Sequence, residues 1–214
     1  MSFRVWGRQS SINVQKVMWT LDEIGLAYEH IDAGGQFGGL DTREFRAMNP
    51  HGRIPVIDDD GTVVWESNAI VRYLCAEHSK ALWPASPRAR AEADGWMDWT
   101  ATRLQSNVMD FFWGWYRTPE KRRDAARNAT LLAAANADWR TLDAHLATRP
   151  YVGGDHLTFG DIPAGTLLYR WFEMEIDRLA APHVEAWYAR LQGRPAFRRH
   201  VMRPFSELKG RLAF

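Results

Sequence analysis

Residues 49 to 74 read "NPHGRIPVIDDDGTVVWESNAIVRYL". Inside that stretch "IPVID" and "TVVW" are short apolar runs on either side of an Asp-Gly pair, the strongest short-range signal for a β-hairpin. A helix is expected directly behind it over 67–78, because Ile70, Val71, Leu74 and Cys75 recur at helical spacing. Pro55 falls at the start of the first strand, where a missing backbone donor is tolerated. Glu66, Ser67 and Asn68 stand where the second strand gives way to the helix. Ser67 can cap that helix, and the free N–H groups there attract an anion.

Working outward toward the N-terminus, "FRVW" (3–6) reads as a strand, and Val14, Val17, Met18, Leu21 and Ile24 mark a helix that Gly25 stops. "AYEHIDA" (27–33) reads as a second strand, and a glycine-rich loop leads to a short helix near 43–48. The order β-α-β-α-β-β-α fills the first 80 residues, followed by a proline-marked linker over 81–88. From 89 to 214 no convincing strand remains, and helices are expected over 89–116, 119–147, 158–173, 182–192 and 195–201. The chain is thus expected to be α+β with two domains, 1–80 and the all-α 89–214. "TFGDIPAG" (158–165) offers Thr158 as an N-cap with Asp161 three residues on, and Pro163 is less expected, because beyond the first turn it removes a helical donor.

Composition narrows the function classes. The chain has 214 residues, 46% hydrophobic, with 27 Lys and Arg against 26 Asp and Glu, so no basic excess argues for nucleic acid or an anionic membrane. A single cysteine and the absence of a secretory leader or a long apolar span lead to the expectation of a cytoplasmic protein. Histidines at no metal-ligand spacing, an acidic "DDDG" that fits a hairpin turn, and a "GGQFGG" without a P-loop lysine imply no metal and no phosphate cradle. Cys75, among apolar neighbours, reads as a small buried hydrophobe.

Jointly, "SSINVQKV" opening the first helix, "NPHGRIPVI" before the hairpin, "WESNAIVRYL" after it and "TFGDIPAG" in the helical half make the chain resemble the glutathione transferases. The resemblance spans nearly the whole chain and implies a thioredoxin-like domain followed by a helical domain. The serine start and the Glu-Ser pair look most like the theta-type and related bacterial classes, with a nu-like Asn in the first loop. It further implies a cytoplasmic homodimer that takes glutathione as co-substrate and conjugates it to small apolar electrophiles. Glutathione-dependent disulfide reduction or dehalogenation, or a silent glutathione-binding protein, are the alternatives.

By the same resemblance, Pro55 is cis and turns the backbone of Ile54 toward the cysteinyl unit of glutathione, pairing with it like a strand. Glu66, Ser67 and Asn68 hold the γ-glutamyl end, and Arg53 meets the glycyl carboxylate through two donors. Counting back from "GLAYE" (25–29) places the activating hydroxyl at Ser11 and a second polar group at Asn13, with Ser10 as a neighbour. Local sequence alone leaves open that these residues only cap the helix. Met109, Phe112, Trp113 and Tyr116 form a helical stripe that could wall the electrophile pocket, or belong to the core or to a subunit contact.

The energetics permit activation without a side-chain base. Lowering a thiol pKa from roughly 8.5 by two units takes about 2.7 kcal/mol. A hydrogen bond to the thiolate supplies roughly 1.5–3 kcal/mol and a helix N-terminus about 0.3–1 kcal/mol.

Overall fold

The structure, a computed structural model, describes residues 3–212. The first domain runs β1 (Phe3–Trp6), α1 (Ile12–Ile24), β2 (Glu29–Ile31), α2 (Arg43–Met48), β3 (Val56–Asp59), β4 (Thr62–Trp65) and α3 (Ser67–His78). Its sheet has the order β2-β1-β3-β4, with β1 parallel to β2 and the other two pairs antiparallel. This is the thioredoxin-like arrangement expected from the sequence. The hairpin turn uses Asp60 and Gly61, both at positive φ, and Gly61 N donates to Asp58 Oδ1 at 2.7 Å. Apolar residues of α1 and α3 (Val17, Leu21, Ile70, Leu74) close over Phe3, Val5 and Ile57 of the sheet, while Phe45 of α2 packs with Val56 on the other face.

The second domain is helical: α4 (Pro87–Trp99), α5 (Gln105–Phe111), α6 (Ala125–Leu146), α7 (Asp161–Glu173), α8 (Pro182–Gln192) and α9 (Pro195–His200). The expected helix over 89–116 is continuous in direction but is widened by π turns at Thr100–Leu104 and Phe112–Arg117. The next helix begins later than 119, because Asp124 caps it by accepting from Arg127 N at 2.9 Å. Helix α7 likewise starts at Asp161 rather than 158, which puts Pro163 in the first turn, where its missing N–H has no intrahelical partner to lose. Half of the expected capping box is present: Thr158 N donates to Asp161 Oδ2 at 2.9 Å, but the Thr158 hydroxyl bonds that same carboxylate oxygen at 3.1 Å instead of the helix backbone.

One core joins the domains. Ile12, Trp19, Val71 and Cys75 belong to the same buried cluster as the helical domain's Trp139, Trp171 and Trp187. Trp19 is fully buried, and a Cβ on Gly165 of α7 would come within 2.8 Å of its ring, so that close approach requires glycine. Cys75 is also fully buried, as the sequence suggests, and desolvation pushes its thiol up to about 12.

Candidate functional site

The loop between β1 and α1 is braced from three sides. Gly7 has φ 151°, and a Cβ there would meet Val14 Cγ2 at 2.4 Å. His30 of β2 holds the Gly7 carbonyl at 2.6 Å and Gln15 Nε2 donates to the Gln9 carbonyl at 3.0 Å. From the far domain, Arg170 Nη2 donates to the Ser10 carbonyl at 2.5 Å. Ser11 then takes the N-cap position of α1 with φ −82° and ψ 123°, and its carbonyl accepts from Gln15 N at 2.9 Å. Its side chain makes no capping hydrogen bond, and the first turn of α1 carries no acidic residue. A hydroxyl therefore sits unspent beside a helix end whose partial positive charge nothing on that turn offsets.

Across from it, the Ile54–Pro55 bond is cis and Ile54 packs against Gly7 and Gly34. Glu66, exposed, holds φ 70° just before α3, a conformation that costs a non-glycine residue about 1–3 kcal/mol and that clusters at ligand-binding positions. Ser67 is buried and Asn68 half-buried.

Lys16, which the sequence reading passed over, ties these groups together. It is 1% exposed, and its Nζ donates to Gln105 Oε1 at 2.6 Å, Asn68 Oδ1 at 3.3 Å and Ser67 Oγ at 3.5 Å. Gln105 in turn donates to Asn13 Oδ1 at 3.3 Å. Asn13, Ser67 and Asn68 thus share one network that runs through a buried lysine and a helical-domain glutamine. Arg53 stands apart: it is exposed, and among the described residues only its carbonyl is engaged, by Asn49 Nδ2 at 2.8 Å.

Burial lowers Lys16 to about 7, with Glu66 acting in the opposite direction. A lysine depressed in the native state leaves the unfolded chain holding the extra proton between pH 7 and its unfolded value, so stability rises with pH in that window. Cys75, whose raised thiol acts oppositely, enters only above pH 9. Between pH 7 and 9 the stability of the wild type relative to Lys16→Met is expected to increase by about 1–2 kcal/mol, read from urea midpoints at unchanged m. A flat difference would mean that the ammonium is hydrated in the folded protein.

The expected electrophile wall is divided. Phe112 is 1% exposed and stacks on Tyr116 with centroids 5.2 Å apart, so its ring faces the helical core and does not line an open wall. Met109 is partly buried against the same core. Trp113, 38% exposed, carries the Arg117 guanidinium 3.8 Å from its ring centroid. None of the four lines the cavity of about 400 Å³ that opens beside Ser10. Among the described residues no cluster of three or more His, Cys, Asp or Glu could hold a metal, and no helix is long and apolar enough to cross a membrane.

Family models for the glutathione S-transferase N-terminal and C-terminal domains match residues 1–76 and 104–195. The chain belongs to the glutathione S-transferase family. Glutathione S-transferase GstB of Escherichia coli K12 is 42% identical over 94% of this chain and 99% of its own. A theta-class glutathione S-transferase from Xanthomonas axonopodis pv. citri, solved with glutathione bound, superposes with a TM-score of 0.91 at 48% identity, covering 95% of this chain and 98% of that one. Rice elongation factor 1-gamma 2 matches 74% of this chain at 30% identity, but only 38% of its own length.

Proposed function

We propose that the protein binds glutathione between the Ile54–Pro55 turn and the start of α3, ionises its thiol and adds the thiolate to a small electrophile. The observation that carries this reading is the Ser11 hydroxyl, placed at the first turn of α1 without a capping bond. Ser11 donates to the sulfur and favours the thiolate, while the helix end adds its field. Asn13, held by Gln105, supports the same loop, and Ser10 serves as its backbone anchor. Ser67 and Asn68 receive the γ-glutamyl carboxylate, with the Lys16 amine behind them as a buried hydrogen-bond donor, and Glu66 faces the ammonium. Ile54 pairs with the cysteinyl backbone, and Arg53 swings to the glycyl carboxylate. The division into 1–80, linker 81–88 and 89–214, and a cytoplasmic homodimer, belong to the same reading.

Turnover of a chloronitroaromatic measured beside reduction of a small disulfide tests it. Conjugation with slow disulfide reduction is expected; the reverse would assign the protein to thiol exchange, and neither, with glutathione bound, to a silent binder. Because glutathione supplies the sulfur, Cys75→Ala should keep its turnover and lose about 1 kcal/mol of stability from a smaller core side chain. Abolished turnover at normal melting and glutathione affinity would point instead to a protein thiol in the reaction.

A further inference from the structure

The Lys16 amine is held among three neutral oxygens: Gln105 Oε1 at 2.6 Å, Asn68 Oδ1 at 3.3 Å and Ser67 Oγ at 3.5 Å. The first two are amide carbonyls and can only accept, whereas the hydroxyl can also donate. An ammonium has three N–H groups and spends one on each oxygen. A neutral amine has two N–H groups and a lone pair, so the Ser67 hydroxyl turns round and donates its hydrogen to Nζ. The same pocket therefore satisfies both protonation states, which differ in where the Ser67 hydrogen points. Among the described residues Ser67 Oγ has no other hydrogen-bond partner.

The surroundings hold the two states close to balance. Lys16 is 1% exposed, and burial lowers its amine to about 7, against the charge of the exposed Glu66. Other charges on the elements packed around it are turned elsewhere. Arg72 of α3 pairs with Asp94 and Asp98, Arg103 just before α5 pairs with Asp138, and Arg170 of α7 bonds the Ser10 carbonyl. On α1 itself, Asp22 meets Arg199 and His200 of α9, and Glu23 pairs with Arg194.

We propose that Lys16 takes up a proton from solvent as the γ-glutamyl carboxylate of glutathione docks, and so turns the Ser67 hydroxyl from the amine toward the ligand. The proposal rests on the reading above that Ser67 and Asn68 receive that carboxylate. In this step an N–H bond forms on the Nζ lone pair and the Ser67 O–H exchanges one acceptor for another; nothing is oxidised or reduced. A carboxylate bonded to Ser67 Oγ lies one further hydrogen bond from Nζ, within about 6 Å of it. At that separation and an effective dielectric constant of about 20, it raises the proton affinity of the amine by up to about a hundredfold. The ammonium of the ligand opposes this from the side of Glu66, where water screens it. Above pH 7 the lysine is thus mostly neutral without the ligand and charged with it, so no buried charge stands without its counter-ion.

S-methylglutathione tests the coupling, because it keeps the γ-glutamyl group and has no thiol proton to lose. Calorimetric titration of the wild type near pH 7.5, in buffers of different ionisation enthalpy, should show uptake of about half a proton or more per ligand. Near pH 6, where the lysine is already charged, uptake should be small. The Kd should accordingly weaken by about five- to tenfold from pH 6 to 8. Lys16→Arg, charged throughout that range, should abolish the uptake and flatten the profile, and Lys16→Met should abolish the uptake as well. Zero uptake by the wild type near pH 7.5, or net release, overturns the proposal whatever the variants do. Undiminished uptake in a folded Lys16→Arg or Lys16→Met would assign the proton to another group and also overturn it. If uptake is absent while Ser67→Ala still weakens the ligand, the glutathione site stands without the proton switch. If S-methylglutathione does not bind at all, the site reading and the proposal fall together.

Discussion

Asp161→Ala is expected to destabilise the protein by about 2–4 kcal/mol without touching the glutathione site directly. The carboxylate is fully buried at the start of α7 and accepts from Val152 N at 2.7 Å, Thr158 N at 2.9 Å and Thr158 Oγ at 3.1 Å. Alanine leaves these buried donors unsatisfied, at roughly 1–3 kcal/mol each. Part of that loss is offset, because desolvation, the largest influence on Asp161, raises it to about 6 and so makes its charged form costly. The sign of the pH dependence follows. An acid raised in the native state holds its proton between the unfolded value and about 6, so the charge penalty grows as pH rises through that range. The advantage of the wild type over Asp161→Asn should therefore shrink from pH 4 to 6 and level off above. Denaturant midpoints check both statements; a loss below about 0.5 kcal/mol for the alanine variant would remove Asp161 from the structural account.

Ser11→Ala is expected to raise the pKa of the bound thiol by one to two units, since losing roughly 1.5–3 kcal/mol of hydrogen bonding to the thiolate favours the protonated form. A capping serine would behave differently and cost about 1 kcal/mol of fold stability. The absence of a capping bond from the Ser11 side chain predicts near-unchanged stability. Thiolate absorbance against pH at saturating glutathione should show the largest shift in Ser11→Ala, a smaller one in Asn13→Ala and little in Ser10→Ala, whose carbonyl rather than hydroxyl is engaged. A shift confined to Ser10→Ala would mean that the register along the loop is off by one residue. No shift in any of them would return the serines to a purely structural role.

The fold was legible wherever the signal is local. The Asp-Gly hairpin, the helix over 67–78 and the one over 182–192 appear at the expected residues, because turn chemistry and apolar spacing act over a few positions. Boundaries moved where a nearby side chain competes for the backbone, as Asp124 does before α6. The candidate site was partly legible: Ser11, Pro55, Glu66 and Ser67 sit at element junctions that sequence marks with serines, prolines and a strand-to-helix change.

Lys16 and Arg170 were not legible. In "NVQKVMW" a lysine between apolar positions has the pattern of a solvated helix face, yet α1 is covered on one side by the sheet and on the other by the helical domain, which reaches Lys16 through Gln105. Arg170 reaches Ser10 across a separation of 160 residues. The sequence by itself determined the elements and their order, because these follow from propensity and periodicity within each segment, and its joint motifs carried the resemblance that implied the thioredoxin-like topology. Only the tertiary structure decided which polar side chains lose water and what charge surrounds the first loop, because desolvation and Coulomb interaction depend on neighbours brought together by packing, and no local pattern encodes which distant helix will supply them.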